Sequence, residues 1–171
     1  MRKFLGVAAA VLTFGLAFAS EPAPLQKAYV DYDGFSALVE ELAPIRNERL
    51  ISVDTFLEYA ADEDTLILDA RSAEAYAAGH IAGAVNLSFS DFTQGKLDKL
   101  IGDQNRRIVI YCNNNFVDNI EPVLKKRVEL ALNIPTFINL YGYGFENIYE
   151  LNDAISIDDP RIEFVEPNKA L

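Results

Sequence analysis

The stretch Arg107-Ile108-Val109-Ile110-Tyr111-Cys112-Asn113-Asn114-Asn115-Phe116-Val117 decides the reading of this chain. From Ile108 to Tyr111 every position is apolar, not every second one, so the strand it predicts is covered on both faces, as in a parallel sheet between helices. Cys112 ends that strand. Open α/β sheets place their ligand crevices off the carboxyl ends of strands, which puts the thiol where chemistry is expected. Asparagine tolerates left-handed backbone angles, so the amides of Asn113, Asn114, Asn115, Phe116 and Val117 are predicted to turn inward as an anion-binding nest. A thiol in such a nest, ahead of a helix, has its anionic form favoured. The competing reading makes Cys112 a small buried hydrophobe.

Working outward, Thr65-Leu66-Ile67-Leu68-Asp69 is a second continuous apolar strand, and Arg49 to Ser52 is a short one. Phe35, Leu38, Val39 and Leu42 fall at i, i+3, i+4 and i+7, an amphipathic helix closed by Pro44. Asp54 can cap a helix carrying Phe56, Leu57 and Tyr59, and Ser72 to Tyr76 supplies one or two helical turns. After the cysteine loop, a helix is expected through Val123, Leu124, Val128 and Leu132. Asn133-Ile134-Pro135 breaks it, Thr136 to Leu140 reads as a third strand, and Gly142-Tyr143-Gly144 turns into a short helix from Phe145 to Leu151. Strands alternating with helices imply an α/β sandwich around a mostly parallel sheet.

Composition narrows the function. The 171 residues carry 15 lysines and arginines against 26 acids, a net charge of −11. Such a field opposes a sequence-independent grip on nucleic acid or on an anionic membrane. One cysteine excludes an internal disulfide, and with the one histidine, His80, it leaves no Cys/His set for zinc; neither a metal nor an organic cofactor is expected. Lys125, Lys126 and Arg127 read as a solvated face.

Met1-Arg2-Lys3, the apolar run from Phe4 to Phe18 and the small residues Ala17 and Ala19 form the pattern of a secretory signal peptide, with the mature chain expected to begin at Ser20. The run is short of the roughly 20 residues that cross a bilayer, so no stable membrane insertion is expected after cleavage. The expected address is the periplasm, where an unpaired thiol is unusual. The organisation expected is 1–19 signal peptide, 20–48 leader and N-terminal helix, 49–151 the α/β domain, and 152–171 a C-terminal extension.

Four segments together resemble the rhodanese superfamily, whose domains pass a sulfane sulfur through a cysteine persulfide. They are Leu68-Asp69-Ala70-Arg71 with Glu74 and Tyr76, Gly79-His80-Ile81-Ala82-Gly83-Ala84-Val85-Asn86-Leu87, Ile108 to Cys112, and Asn139-Leu140-Tyr141-Gly142-Tyr143-Gly144 at the family's glycine turn. The resemblance implies a three-layer α/β sandwich with a mostly parallel central sheet flanked by helices. It also implies that Cys112 is the persulfide-bearing residue and that the amides of Asn113 to Val117 are its cradle. Asp69 and Arg71 are expected to brace the loop ends as an ion pair, and His80 to tie its turn to neighbouring backbone.

The loop Cys-Asn-Asn-Asn-Phe-Val-Asp departs from the pattern of active rhodaneses, which carry a basic residue and a glycine there. Turnover of dianionic thiosulfate is therefore expected to be low. The related phosphatase branch needs an arginine six positions after the cysteine, where this chain has Asp118. Two functions follow: an exported sulfurtransferase moving sulfur from a small sulfur-containing donor to a nucleophilic acceptor, or a catalytically silent binding module for a protein partner or small ligand.

Overall fold

The computed structural model describes residues 27–166. The chain divides into two units, Met1–Val30 and Asp31–Leu171. Residues 27–30 carry no regular element, and every element below belongs to the second unit. The expected signal peptide and the cleavage at Ser20 lie outside the described residues.

Strands β1 (Leu50–Ile51), β2 (Leu66–Asp69), β4 (Val85–Asn86), β5 (Ile108–Tyr111) and β6 (Ile148–Leu151) form one parallel sheet in the order β1-β6-β5-β2-β4. The two central strands are those read as continuously apolar. Along β5, Ile108 and Ile110 face one core while Val109 and Tyr111 face the other, and in β2 Leu66 and Leu68 are opposed by Ile67. The strand period of two thus feeds two separate hydrophobic layers.

On the Val109 face, α2 (Val53–Ala60) brings Val53 and Phe56, and α3 (Ala73–Ala78) brings Tyr76. On the Ile110 face, α4 (Gln94–Ile101) buries Leu97 and Ile101, and α5 (Asn133–Gly142) buries Phe137 and Leu140. Helix α1 (Tyr32–Glu48) packs on α5 and is tied to the sheet by Arg46, whose Nε donates to Glu150 Oε2 at 2.6 Å. The fold is the expected three-layer α/β sandwich. The stretch after β6 folds onto the same body: Ile155 and Ile162 are buried, and β7 (Phe164–Val165) pairs antiparallel with β3 (His80–Ile81).

Several elements differ from the sequence expectation. Helix α1 runs through Pro44 to Glu48; Pro44 and Glu40, the residue whose carbonyl loses its helical donor there, are both exposed. Ser52, not Asp54, caps α2, accepting from the Thr55 amide at 3.3 Å. The segment expected as a strand from Thr136 to Leu140 is helix α5: Pro135 occupies its first turn, where no intrahelical N–H bond is lost. The segment expected as a helix from Phe145 to Leu151 holds strand β6 instead, filling the sheet between β1 and β5.

No helix forms through Val123 to Leu132 beyond a short 3-10 turn at Val128–Leu130. The reason is local competition. The Lys125 amide donates to Asn119 Oδ1 at 2.9 Å and the Lys126 amide to Asn114 Oδ1 at 3.0 Å, so side chains hold the donors that a helical ladder needs. Residues 117–130 form instead an irregular strap, anchored by buried Pro122 and Val123.

Candidate functional site

The site lies at the carboxyl ends of β2 and β5. Cys112 follows β5 directly and is 1% exposed. Asn113–Asn115 turn through one 3-10 turn, and no residue other than glycine takes a positive φ among the described residues. The left-handed asparagine nest expected from the sequence is absent. Of the amides after the cysteine, that of Asn114 faces the sulfur, donating to Sγ at 3.4 Å. The amides of Asn115, Phe116 and Val117 donate to the carbonyls of Cys112, Asn113 and Ile155.

The three asparagines act through their side chains as stitches. Asn113 Nδ2 donates to the Leu124 carbonyl at 2.8 Å, and Asn113 Oδ1 accepts from Arg71 Nη1 at 3.4 Å. Asn114 grips Lys126 at two points: Nδ2 donates to its carbonyl at 2.9 Å and Oδ1 accepts from its amide. Asn115, buried, accepts from the Cys112 amide and from Asn133 Nδ2, both at 2.9 Å, and donates to the carbonyls of Leu151 and Asp153. Cysteine loop, strap, helix α5 and the end of β6 are thereby joined.

Beneath the loop, Asp69 and Arg71 form the brace expected for them. Arg71 Nη2 lies 2.6 Å from Asp69 Oδ2, with side-chain exposures of 2% and 0%. Tyr111 donates its hydroxyl to the same oxygen at 2.7 Å and accepts from the Ile81 amide. The remaining guanidinium donors reach the carbonyls of Gly79 and Pro122. Burial, the strongest single influence, opposes the charge on Arg71, but Asp69 and Tyr111 together hold the guanidinium's pKa above its ordinary value. Burial, reinforced by Asp69, pushes the Tyr111 phenol well up. The Arg71 charge is thus consumed internally rather than offered to a ligand. His80 Nδ1 donates to the Tyr76 carbonyl at 2.8 Å, and the imidazole stacks on the Tyr76 ring.

Two clefts flank the loop. One of about 270 Å³ is bordered by Arg71, Ser72, Ser88, Ser90, Asn113 and Lys126. The other, of about 600 Å³, is bordered by Glu74, Asn113, Glu121, Leu124, Lys125 and Lys126. Cys112 borders neither. Sequence reasoning missed Ser88 and Ser90, which follow β4, and placed Lys126 on a solvated helix face. The signal for Lys126 lay in Asn114, a two-point backbone binder that needed a partner chain.

The acidic thiol expected from a nest is corrected by this geometry. Burial, the strongest influence, raises the Cys112 pKa; the amides of Asn114, Asn133 and Leu132 pull it down without prevailing, and Glu150 adds to the rise. A folded-state pKa above the unfolded one means that the unfolded chain releases the proton first. The stability linked to this thiol is complete below the ordinary thiol range, about 8.5, and is lost as pH rises through the folded value. Alkylation of the native protein by iodoacetamide is therefore expected to be slow at pH 7. Urea-unfolding stability is expected to fall more steeply above about pH 8.5 than in Cys112→Ser. Rapid alkylation of folded protein at neutral pH would contradict both.

The sequence matches the rhodanese-like domain family over residues 52–156, and the chain belongs to that family. No curated protein matches it. Among solved structures it is similar to the Alr3790 protein from Anabaena sp., at 20% identity over 61% of this chain and 80% of that one, with a TM-score of 0.45. The BH2092 protein from Bacillus halodurans is similar at 16% identity over 70% and 75%, with a TM-score of 0.46. Protein hp1203 from Helicobacter pylori 26695 is similar at 20% over 71% and 92%, with a TM-score of 0.44.

Proposed function

We propose that this member of the rhodanese-like family is a binding module in which the cysteine is a framework residue, working in the periplasm after export. The observation that carries the reading is the enclosure of Cys112: the thiol is 1% exposed, and the loop it heads is stitched to the strap by Asn113 and Asn114. Its raised pKa lowers the thiolate fraction on which any attack depends. Arg71 is held by Asp69, and the cations beside the cysteine loop, Lys125 and Lys126, border clefts that Cys112 does not reach. The N-terminal charge and apolar pattern supports export.

A second reading keeps the domain as a sulfurtransferase, and the Asn114 amide on Sγ favours it. In that chemistry the thiolate attacks the sulfane sulfur of thiosulfate, the new S–S bond forms as sulfite leaves with the electron pair of the broken bond, and an acceptor such as cyanide then takes the outer sulfur. The thiol, 1% exposed, would have to be uncovered first.

Cyanolysis decides between them. Purified protein incubated with thiosulfate and cyanide is expected to release no more thiocyanate than Cys112→Ser. A Cys112-dependent rate, with a mass gain of one sulfur on the protein before cyanide is added, overturns the binding-module reading.

A further inference from the structure

Exposed large apolar side chains among the described residues gather in two stretches, residues 29–39 and the strap, and the strap is the one beside the cysteine loop. Val117, Ile120, Leu124, Val128 and Leu130 are 46–74% exposed, all within residues 117–130. Large apolar side chains gathered in this way on a soluble domain mark an interaction surface. The backbone beneath them is held: Asn113, Asn114 and Asn119 bond its carbonyls and amides, and Lys125 Nζ donates to the Val117 carbonyl at 2.8 Å. A surface fixed before binding loses less entropy when a partner docks.

Charge identifies the partner. Lys125-Lys126-Arg127 is a run of three bases in a chain of net charge −11. Among the described residues elsewhere, Arg46, Arg71, Lys96, Arg107 and Arg161 each meet a carboxylate within 4.0 Å, while Lys27, Arg49, Lys99 and Arg106, scattered singly, do not. Lys125 and Lys126 meet none among the described residues, and Arg127 has only the exposed Glu129, at 3.5 Å. Of the strap's other acids, Asp118 accepts from the Ile157 amide, and Glu121 borders the larger cleft together with Glu74, Lys125 and Lys126 without coming within 4.0 Å of either lysine's ammonium. Along the chain the three bases stand between Leu124 and Val128, with Leu130 two residues further on. We propose that residues 117–130 are the docking surface for an acidic segment of a partner protein, its carboxylates on Lys125, Lys126 and Arg127 and its apolar side chains on Leu124, Val128 and Leu130. An anionic bilayer fits less well, since it sets a plane of negative charge against the whole acidic molecule, whereas a short acidic segment meets the strap alone.

The proposal rests on the binding-module reading and names its partner, yet it fails separately. Thiocyanate release would overturn the silent thiol without touching the strap. The test is an unbiased selection of random dodecapeptides on the purified protein. Peptides carrying both acidic and apolar residues are expected to be enriched. Their affinity is expected to fall at least tenfold in Lys125→Glu/Lys126→Glu/Arg127→Glu, and several-fold as salt rises from 50 to 300 mM, by screening. The salt series on the unaltered protein keeps the test valid if the triple variant folds poorly, and Leu124→Ser/Val128→Ser provides a second variant with the charges intact. Enrichment without acidic residues, salt-independent binding, equal binding to a folded triple variant, or flotation of the protein with phosphatidylglycerol vesicles in place of peptide selection would each overturn it.

Discussion

Asp69→Ala is expected to lower the unfolding free energy by about 3–5 kcal/mol, the cost of leaving a buried charge without its partner. The carboxylate accepts from the Arg71 backbone amide, from Arg71 Nε and Nη2, and from the Tyr111 hydroxyl, with every one of these donors enclosed. Removing it strands a guanidinium and a phenol in a medium that hydrates neither. In a domain whose total stability falls in the range of about 5–15 kcal/mol, the loss shows as a large drop in the urea midpoint or as failure to accumulate. Arg71→Met, which removes the charge and keeps apolar volume, is expected to cost less because Asp69 retains the Tyr111 donor. A loss under about 1 kcal/mol for Asp69→Ala, within the range of exposed pairs, would show that the pair is solvated in solution.

Asn115→Ala is expected to cost about 3 kcal/mol or more, unusually much for a polar residue in a loop. Its side chain satisfies the Cys112 amide and the Asn133 side-chain amide, and supplies donors to two carbonyls beyond β6. Each buried group left without a partner costs about 1–3 kcal/mol, and water reaches little of this site. Asn115→Asp keeps the acceptor and loses the donors, so an intermediate loss is expected. Chemical denaturation of the three proteins at one pH checks the order. Equal stability of Asn115→Ala and the unaltered protein would mean that the cysteine loop, strap and α5 are held by other contacts.

How much of this was legible follows from the range of the interactions involved. Strands β2 and β5 were readable because they are apolar at every position, a pattern set by the sheet's two covered faces. The Asp69–Arg71 brace was readable because its members stand two residues apart. Helix α5 carried its period too, since Asn133, Thr136, Phe137 and Leu140 are all buried at i, i+3, i+4 and i+7, but two polar members and Pro135 disguised it. Helix α4 left a fainter mark in Thr93, which caps it, and in Leu97, Leu100 and Ile101. The cysteine loop was legible in place and not in action. Asparagine suits a left-handed turn as well as it suits a bond to a passing backbone. The choice was made by segments 11 and 12 residues on, which the loop's own letters do not encode.

The two strands that flank the sheet, β1 and β4, are two residues long each, against four for the inner strands. An edge strand presents unpaired amides and carbonyls to any other chain that can lie alongside, and the ladder such a stranger can form is limited by the edge's length. With two residues on either side, and Glu48 and Arg49 beside β1, edge-to-edge growth of one sheet onto another finds almost no template. The continuously apolar β2 and β5, which as free segments would be the chain's most aggregation-prone stretches, are kept one strand or more inside that boundary. The brevity of β1 and β4 therefore protects against fibrous association, at the expense of sheet hydrogen bonds the fold does without.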